Sequence, residues 1–351
     1  MALPVEVDQA RVRGLLLGAA LGDAAGVVRG RWPAAGPLRI GVATQLTAFT
    51  VEGTIRGSVR RNHRGICHEP SVIGSAYGRW AVLQGVRPAT RTDGWLAQVP
   101  ALRERRGSAP ATVDALTGPE PRPGVPAAVR PSRGAHALTR GLPLGLLWLL
   151  RGQGEWAEKV VRDTAALTHG APDAQEAALA AAELVGHCLV TPDPFRTWAT
   201  APAGPEHPLH GLLQRLPLPN GASPTDVLAL LRDPAAPALL PELAPDATAV
   251  SALLGALLVV TRRPGRDTVE AALRHAATAP DGSSVATTAG ALLGAAHGVD
   301  ALPVPLLSRL ELVWELDTLA RDLLQELTDS PAGSEYIPGR DPHWWSRYPG
   351  G

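Results

Sequence analysis

Four glycines spaced four residues apart constrain the fold of this chain more than any other feature. They lie in the segment RVRGLLLGAALGDAAG (11–26), at Gly14, Gly18, Gly22 and Gly26. Residues four apart fall on roughly one face of an α-helix. The segment therefore predicts a helix whose small face lets a neighbouring helix approach closely. Asp23 lies beside that face and needs a polar partner if it is buried.

The rest of the chain also favours helices. Hydrophobic residues make up 45% of the sequence but aromatic residues only 4%, so the core must consist mainly of Ala, Leu and Val, a composition that favours helices. Clear strands with a period of two are missing, and we predict an all-α fold. Apolar residues recur at helical spacing in 11–28, 44–57, 70–84, 142–152, 155–168, 173–190, 247–262, 268–279, 286–298 and 312–328.

We predict a single domain over residues 1–351, because no flexible linker or fixed-period repeat divides the chain. Residues 107–134 are rich in Pro and Gly and predict a long irregular loop. Residues 330–351 have no helical period and predict an irregular C-terminal tail. Its aromatic residues indicate that it packs back on the body. Glu52 is offset from the apolar face of its predicted helix and is expected at the surface.

Charge and cysteine content exclude several classes of protein. Lys+Arg and Asp+Glu both total 33, so no global field attracts nucleic acid or a membrane surface. Lys159 is the one lysine, which rules out a Walker phosphate loop. Two cysteines cannot form a disulfide framework, and their arrangement beside histidines lacks the spacing of a zinc site. Without a signal peptide or a transmembrane run, we expect a cytoplasmic protein.

Two polar segments at predicted helix ends have both a structural and a functional interpretation. His169, in ALTHGAPDAQ (166–175), either caps the last carbonyls of a helix or faces a cleft. Asp281, Ser283 and Ser284 open a helix and are natural N-cap residues. Helix starts also collect amides and oxygens, so this turn is alternatively an anion or metal site.

Taken together, these segments resemble the ADP-ribosylglycohydrolase family, to which the dinitrogenase-reductase-activating glycohydrolase belongs. Five blocks look like family blocks and follow the family's order, and HWWSRYPG (343–350) is similar to the end of actinobacterial members. The five blocks are RVRGLLLGAALGDAAG (11–26), TQLTAFTVEGTIRG (44–57), SRGAHALTRGLPLGLL (132–147), ALTHGAPDAQEAA (166–178) and DGSSVATTAGALLGAAHG (281–298).

The resemblance implies a compact all-α fold with a central cleft. It also implies two magnesium ions that bind ADP-ribose and assist cleavage of its bond to a protein side chain. The family's T-D-D sequence falls on Gly41, Val42 and Ala43, and a further family glutamate falls at about Gly30. The second acid of the family's D-x-D-[ST] turn has become Ser283, whereas Asp281 remains. Magnesium requires several charged oxygens in octahedral geometry, so the metal site is expected to be degenerate, with no metal ligand and no cofactor.

Other family positions are retained. The resemblance places a ligand-binding set at the cleft, namely Thr44, Gln45, Arg140, His169, Ser283 and Ser284. Asp281 and Asp23 are the candidate catalytic residues if activity survives. Arg29, Arg31 or Arg133 would then replace the metal in neutralising a pyrophosphate.

Three hypotheses about function follow. The first is a pseudoenzyme that binds ADP-ribose, a related nucleotide or an ADP-ribosylated protein, or acts as a regulator. The second is a hydrolase with altered, metal-independent chemistry. The third is a partner-binding scaffold whose cleft is filled by side chains, with Val42 and Ala43 facing inward beside the bulk of Arg29 and Trp32.

Overall fold

The computed structural model describes residues 6–88, 93–118, 131–150, 153–233 and 239–350. Throughout these ranges the regular elements are helices, and the extended pairings are two isolated bridges, Leu38 with Leu310 and Gly134 with Thr248. The prediction of an all-α fold is confirmed. The prediction of a single domain stays a prediction.

The α-helices agree closely with the apolar periodicity of the sequence. They are α1 (Gln9–Val27), α2 (Val42–Arg64), α3 (Glu69–Leu83), α4 (Pro110–Leu116), α5 (His136–Thr139), α6 (Gly154–Ala166), α7 (Pro172–Val190), α8 (Pro194–Thr200), α9 (His210–Gln214), α10 (Pro224–Arg232), α11 (Leu240–Leu243), α12 (Ala249–Arg262), α13 (Val269–Ala276), α14 (Gly282–His297), α15 (Val304–Leu307), α16 (Val313–Thr328) and α17 (Trp344–Arg347). Short 3-10 helices occupy Trp95–Gln98, Pro100–Arg103, Leu142–Leu149, Pro219–Gly221, Arg266–Thr268 and Val299–Ala301.

The glycine face of α1 packs against α14 at backbone contact. A Cβ atom added at Gly18 would lie 2.2 Å from the carbonyl oxygen of Gly290, and one added at Gly22 would lie 1.9 Å from that of Ala286. Only glycine fits at this separation, because the atoms in the way belong to the backbone of the partner helix. Close packing, predicted from the four-residue spacing, is confirmed. It fixes the start of α14 beside the end of α1.

Three expectations need correction. Residues 142–149 form a 3-10 helix rather than an α-helix. The predicted loop 107–134 contains α4, while its residues 119–130 lie outside the described residues. Glu52 is buried rather than at the surface, and Arg56 Nη1 donates to its Oε1 at 3.0 Å.

The C-terminal tail packs on the body of the molecule, as its aromatic residues predicted. It is irregular apart from α17. Trp344 is buried, and its Nε1 donates to Glu326 Oε2 of α16 at 2.9 Å. Tyr348 is also buried and donates to Asp322 Oδ2 at 2.7 Å. These contacts join the tail to α16.

The two cysteines, Cys67 and Cys188, are free thiols. None of the helices in the described ranges combines the length and hydrophobicity that crossing a bilayer requires.

Candidate functional site

Asp23 caps a helix other than its own. Its Oδ2 accepts hydrogen bonds from Gly41 N at 2.8 Å, Thr44 N at 3.0 Å and Thr44 Oγ1 at 2.6 Å. These donors stand at the start of α2, whose own N-cap residue Gly41 supplies no side-chain bond. A helix start has unsatisfied N–H groups and a partial positive charge, and the buried carboxylate of α1 satisfies both. Asp23 therefore fixes α2 on α1.

Gly41 leaves the space that this carboxylate occupies. A Cβ atom at position 41 would lie 2.5 Å from Asp23 Oδ1. Asp23 is held by four donors and has little freedom to move away. The absence of a side chain at Gly41 and the capping role of Asp23 are thus two parts of one arrangement.

The start of α14 meets the start of α2 through the same carboxylate. Ser283 Oγ donates to Asp23 Oδ1 at 2.7 Å. Asp281 is the N-cap of α14, and its Oδ1 accepts from Ser284 N at 3.4 Å, a long capping bond. Asp281 is only partly buried. Of the two aspartates, Asp281 is the one with acceptor capacity left for another molecule.

A cavity of about 730 Å³ opens between these helix starts. Five of the predicted site residues line it, namely Asp23, His169, Asp281, Ser283 and Ser284. Val42 and Ala43 of α2 also form part of its wall. The open cavity beside Asp281 and His169 contradicts the hypothesis of a closed cleft: Val42 and Ala43 face inward without filling it, and Arg29 and Trp32 are not in its lining.

Two imidazoles face the cavity, and the environment keeps both neutral. Burial, together with the charge of Arg140 and the nearby His136, lowers the pKa of His169 to about 2. Its Nδ1 is hydrogen-bonded to Thr168 Oγ1 at 2.7 Å. Burial likewise lowers the pKa of His136, whose Nε2 donates to Ser108 O at 3.0 Å. His136 is a lining residue that the sequence patterns did not single out, although it lies inside the quoted block SRGAHALTRG.

Three of the predicted ligand-binding residues do not line the cavity. Thr44 is buried and hydrogen-bonded to Asp23. Gln45 directs its side chain into the interior, where Nε2 donates to Ala101 O and Glu104 O and Oε1 accepts from Trp80 Nε1.

Arg140 is the third of these residues. It is fully buried, donates to Thr164 O at 3.0 Å, and stacks over Tyr77 with its guanidinium carbon 4.5 Å from the ring centre. The carbonyl that it binds lies in the last turn of α6, where cations are favoured. Because His169 follows that turn, Arg140 helps to place the imidazole without reaching the cavity.

The basic residues of the cleft also differ from the expected ones. Arg29, Arg31 and Arg133 do not line the cavity, and Arg133 pairs with Asp173 at the surface. The arginines in the lining are Arg39, Arg105 and Arg106. They come from loops that precede α2 and α4, where no helical pattern pointed to them.

The carboxylates near the cavity are few. Within the described ranges, no group of three or more His, Cys, Asp or Glu residues is arranged to hold a metal ion. Asp23 and Asp281 are the lining carboxylates. Asp23 already accepts four hydrogen bonds.

Fold and site together define an all-α protein with a polar cleft between the starts of two long helices. The model of the ADP-ribosylglycohydrolase family matches residues 5–332, and the chain belongs to this family. A solved structure described as an ADP-ribosylglycohydrolase-related protein complex has the same fold, with a TM-score of 0.59 at 23% identity over 91% of this chain and 99% of that chain. No curated protein matches the chain.

Proposed function

We propose that this family member is a pseudoenzyme that binds ADP-ribose, or a related nucleotide, without metal. The observation that carries the proposal is an open cleft whose best placed family carboxylate, Asp23, is engaged in capping α2. The fold has a ligand cavity, and one of the carboxylates that line it serves to cap a helix.

Two magnesium ions do not fit the donors that this cleft offers. Each ion would need several hard oxygens in near-octahedral geometry, usually including carboxylates. Among the described residues the lining has two carboxylates, and the oxygens of Asp23 are shared among Gly41, Thr44 and Ser283. No catalytic step in this proposal runs through a metal.

The cavity has the size and polarity of a small-molecule site. Ligand pockets have volumes of roughly 300–1,000 Å³ and a few convergent polar groups, and this one measures about 730 Å³. Asp281 can accept hydrogen bonds from ribose hydroxyls, and Ser283 and Ser284 lie in the adjoining first turn of α14. A neutral His169 can exchange a hydrogen bond with the ligand without adding charge. Such a site accepts a polyhydroxylated ligand.

Isothermal titration of the protein with ADP-ribose, in EDTA and again in magnesium, tests the proposal. We expect the same dissociation constant in both buffers and no release of ADP-ribose from ADP-ribosylated protein. Binding only in magnesium would contradict a metal-independent site. An absence of binding in both buffers would exclude ADP-ribose as the ligand. A bound ADP-ribosylated protein, rather than free ADP-ribose, would make the protein a reader of that modification.

A metal-independent hydrolase is the second candidate, and the position of Asp281 favours it. This carboxylate lines the cavity and accepts one long backbone bond, so it could activate water as a general base. His169 is unsuited to that role because its pKa of about 2 makes it a very weak base. Turnover that persists in EDTA and disappears in Asp281→Ala, but not in Asp300→Ala outside the cavity, would establish the hydrolase. No turnover of any ADP-ribosylated substrate would eliminate it.

Location in the cytoplasm and recognition of an ADP-ribosylated protein remain predictions from the sequence. An ADP-ribosylated protein is the partner that the cleft would recognise. Nothing in the balanced charge of the chain favours nucleic acid as an alternative.

A further inference from the structure

A second cavity, of about 480 Å³, lies between α2, α3 and the C-terminal tail. It shares no lining residue with the cleft. The cleft adjoins the first turn of α2, whereas the second cavity is lined by Arg56 and Arg60 from the second half of that 23-residue helix. Its volume falls within the range of small-molecule sites, roughly 300–1,000 Å³.

The walls of the second cavity have a net positive charge. Three arginines line it, namely Arg56, Arg60 and Arg79. Arg56 donates to Glu52 Oε1 at 3.0 Å and to Asp93 Oδ2 at 2.6 Å, and Arg79 donates to the other oxygen of Glu52. Asp93 is the carboxylate of the lining among the described residues, and Glu52 is buried behind it. Two carboxylates therefore stand against three guanidinium groups.

Arg60 is the guanidinium left without a carboxylate. It is half-buried, and its Nη1 donates to the carbonyl oxygen of Gly350 at 3.3 Å. Within the described ranges its other N–H groups make no hydrogen bond. Glu69, at the start of α3, is paired with Arg61 and adds no net charge. Because a carbonyl does not neutralise a guanidinium, Arg60 keeps both charge and donors for an anion.

The remaining wall suits an apolar group with few polar contacts. Ile66 is 72% exposed at this wall, and Val72 lies in the lining with it. Burial raises the pKa of the Cys67 thiol, which keeps it uncharged. His68 Nδ1 and Ser71 Oγ are hydrogen-bonded to each other at 2.7 Å. Covering exposed apolar surface such as that of Ile66 is favourable.

We propose that the second cavity binds a small organic monocarboxylate. The carboxylate group of the ligand pairs with Arg60, and its apolar body covers Ile66 and Val72. Guanidinium groups bind carboxylates in fixed, often bidentate geometry, and a single negative charge matches the one guanidinium that the walls leave uncompensated. The inference does not depend on the function proposed for the cleft.

The test uses three probes that separate charge from apolar body: hexanoate, hexanol and acetate. The readout is the rate at which N-ethylmaleimide labels Cys67, mapped by peptide mass spectrometry. Cys67 lines the second cavity, whereas Cys188 is buried and far less accessible to the reagent. We expect hexanoate to slow the labelling of Cys67 at a concentration about tenfold or more below that required of hexanol or acetate.

Variants assign the effect to particular side chains. Arg60→Gln should raise the hexanoate concentration needed for protection by about tenfold. Arg64→Gln is the matched control, since Arg64 is exposed on the same helix and outside the lining. Ile66→Ser, at an exposed position, should also weaken protection. Each rate is compared with that of the same variant without probe, and thermal midpoints check that the variants remain folded.

The outcomes distinguish the parts of this proposal. Protection by hexanol equal to that by hexanoate, or undiminished protection in Arg60→Gln, would overturn the carboxylate pairing. Protection by acetate equal to that by hexanoate would overturn the apolar contact. An absence of protection by all three probes would overturn the site itself. ADP-ribose binding should be unchanged in Arg60→Gln, so failure here leaves the proposed function of the cleft standing.

Discussion

Asp23 shows how the surroundings of a side chain decide its role. In the sequence it is a candidate catalytic acid beside a glycine face. In the structure it joins α1, the start of α2 and the start of α14, through Gly41, Thr44 and Ser283. Its carboxylate holds the ends of three helices together.

Asp23→Ala should therefore destabilise the protein. The change leaves the N–H groups of Gly41 and Thr44 without a buried acceptor, which costs about 1–3 kcal/mol for each unsatisfied group. We expect the free energy of unfolding, measured by urea denaturation, to fall by about 2–4 kcal/mol. Asp23→Asn keeps one acceptor oxygen and should lose less. Equal stability of Asp23→Ala and the parent would contradict the capping role.

Glu326 gives a pH-dependent prediction. Burial raises its pKa to about 7, although Ser330, Trp344 and Asn62 donate hydrogen bonds to it. In the unfolded chain, the carboxyl group of a glutamate has its ordinary pKa of 4.5. The folded protein therefore holds the proton more tightly, and its stability falls as the pH rises from about 4.5 through about 7.

Glu326→Gln should remove this dependence, because an amide has no charge to lose. At pH 8 the variant should be more stable than the parent, by up to about 3 kcal/mol from the linkage relation, and the difference should shrink towards pH 5. Denaturation midpoints across this range measure the effect. The exposed Glu335→Gln, in the tail that packs on α16, should leave the parent's pH dependence unchanged; a parallel loss in both would contradict the assignment to Glu326.

Among the helices, α1 and α14 form the pair that fixes the geometry of the cleft. Their contact is made by backbone atoms, so a methyl group on either side has no flexible neighbour to displace. The spacing of the glycines predicted this packing from local periodicity. It could not predict which helix would be the partner.

Gly18→Ala tests the packing. The added Cβ would lie 2.2 Å from the carbonyl oxygen of Gly290, and we expect a loss of about 3 kcal/mol or more in the free energy of unfolding. Gly211→Ala in α9 is the matched control, since nothing lies within 4 Å of its added Cβ. The control should be neutral or more stable by about 0.5–1 kcal/mol. If Gly18→Ala were equally harmless, α1 and α14 could not be in backbone contact.

At the scale of the whole molecule, side-chain hydrogen bonds join the C-terminal tail to α16. Trp344 buries its indole and donates to Glu326, and Arg347 and Tyr348 both donate to Asp322 of α16. The tail thereby covers the side of α16 that carries Asp322 and Glu326, and it supplies hydrogen-bond donors to both.

Trp344→Ala should release this contact. Removing a buried tryptophan costs about 3–5 kcal/mol, and here Glu326 also loses a donor. We expect a lower thermal midpoint and faster proteolysis within residues 330–350. The partly exposed Trp345→Ala is the control and should lose much less. Similar losses in both would mean that the tail contributes by general hydrophobicity and not by the Trp344 contact.

The helical class, the positions of the longer helices and the family could all be predicted from the sequence, because apolar periodicity and the spacing of Gly, Asp and His residues are local properties of a chain. The family resemblance placed Asp281, Ser283 and His169 at the cleft, and all three line the cavity. It placed Gln45 and Arg140 there as well, and periodicity placed Glu52 at the surface, but all three are buried in the interior, since the direction of a side chain depends on the helix that packs against it.

The shape of the cleft depends on contacts between residues that are far apart in the sequence. Asp23 of α1 meets both the start of α2 and, 260 residues away, Ser283 at the start of α14, and the space that its carboxylate fills explains why Gly41 has no side chain. Arg39, Arg105 and Arg106 line one cavity because the surrounding helices hold their loops in place. The path of each loop and the charged groups around it depend on how the whole chain packs, so no local pattern in the sequence predicts them.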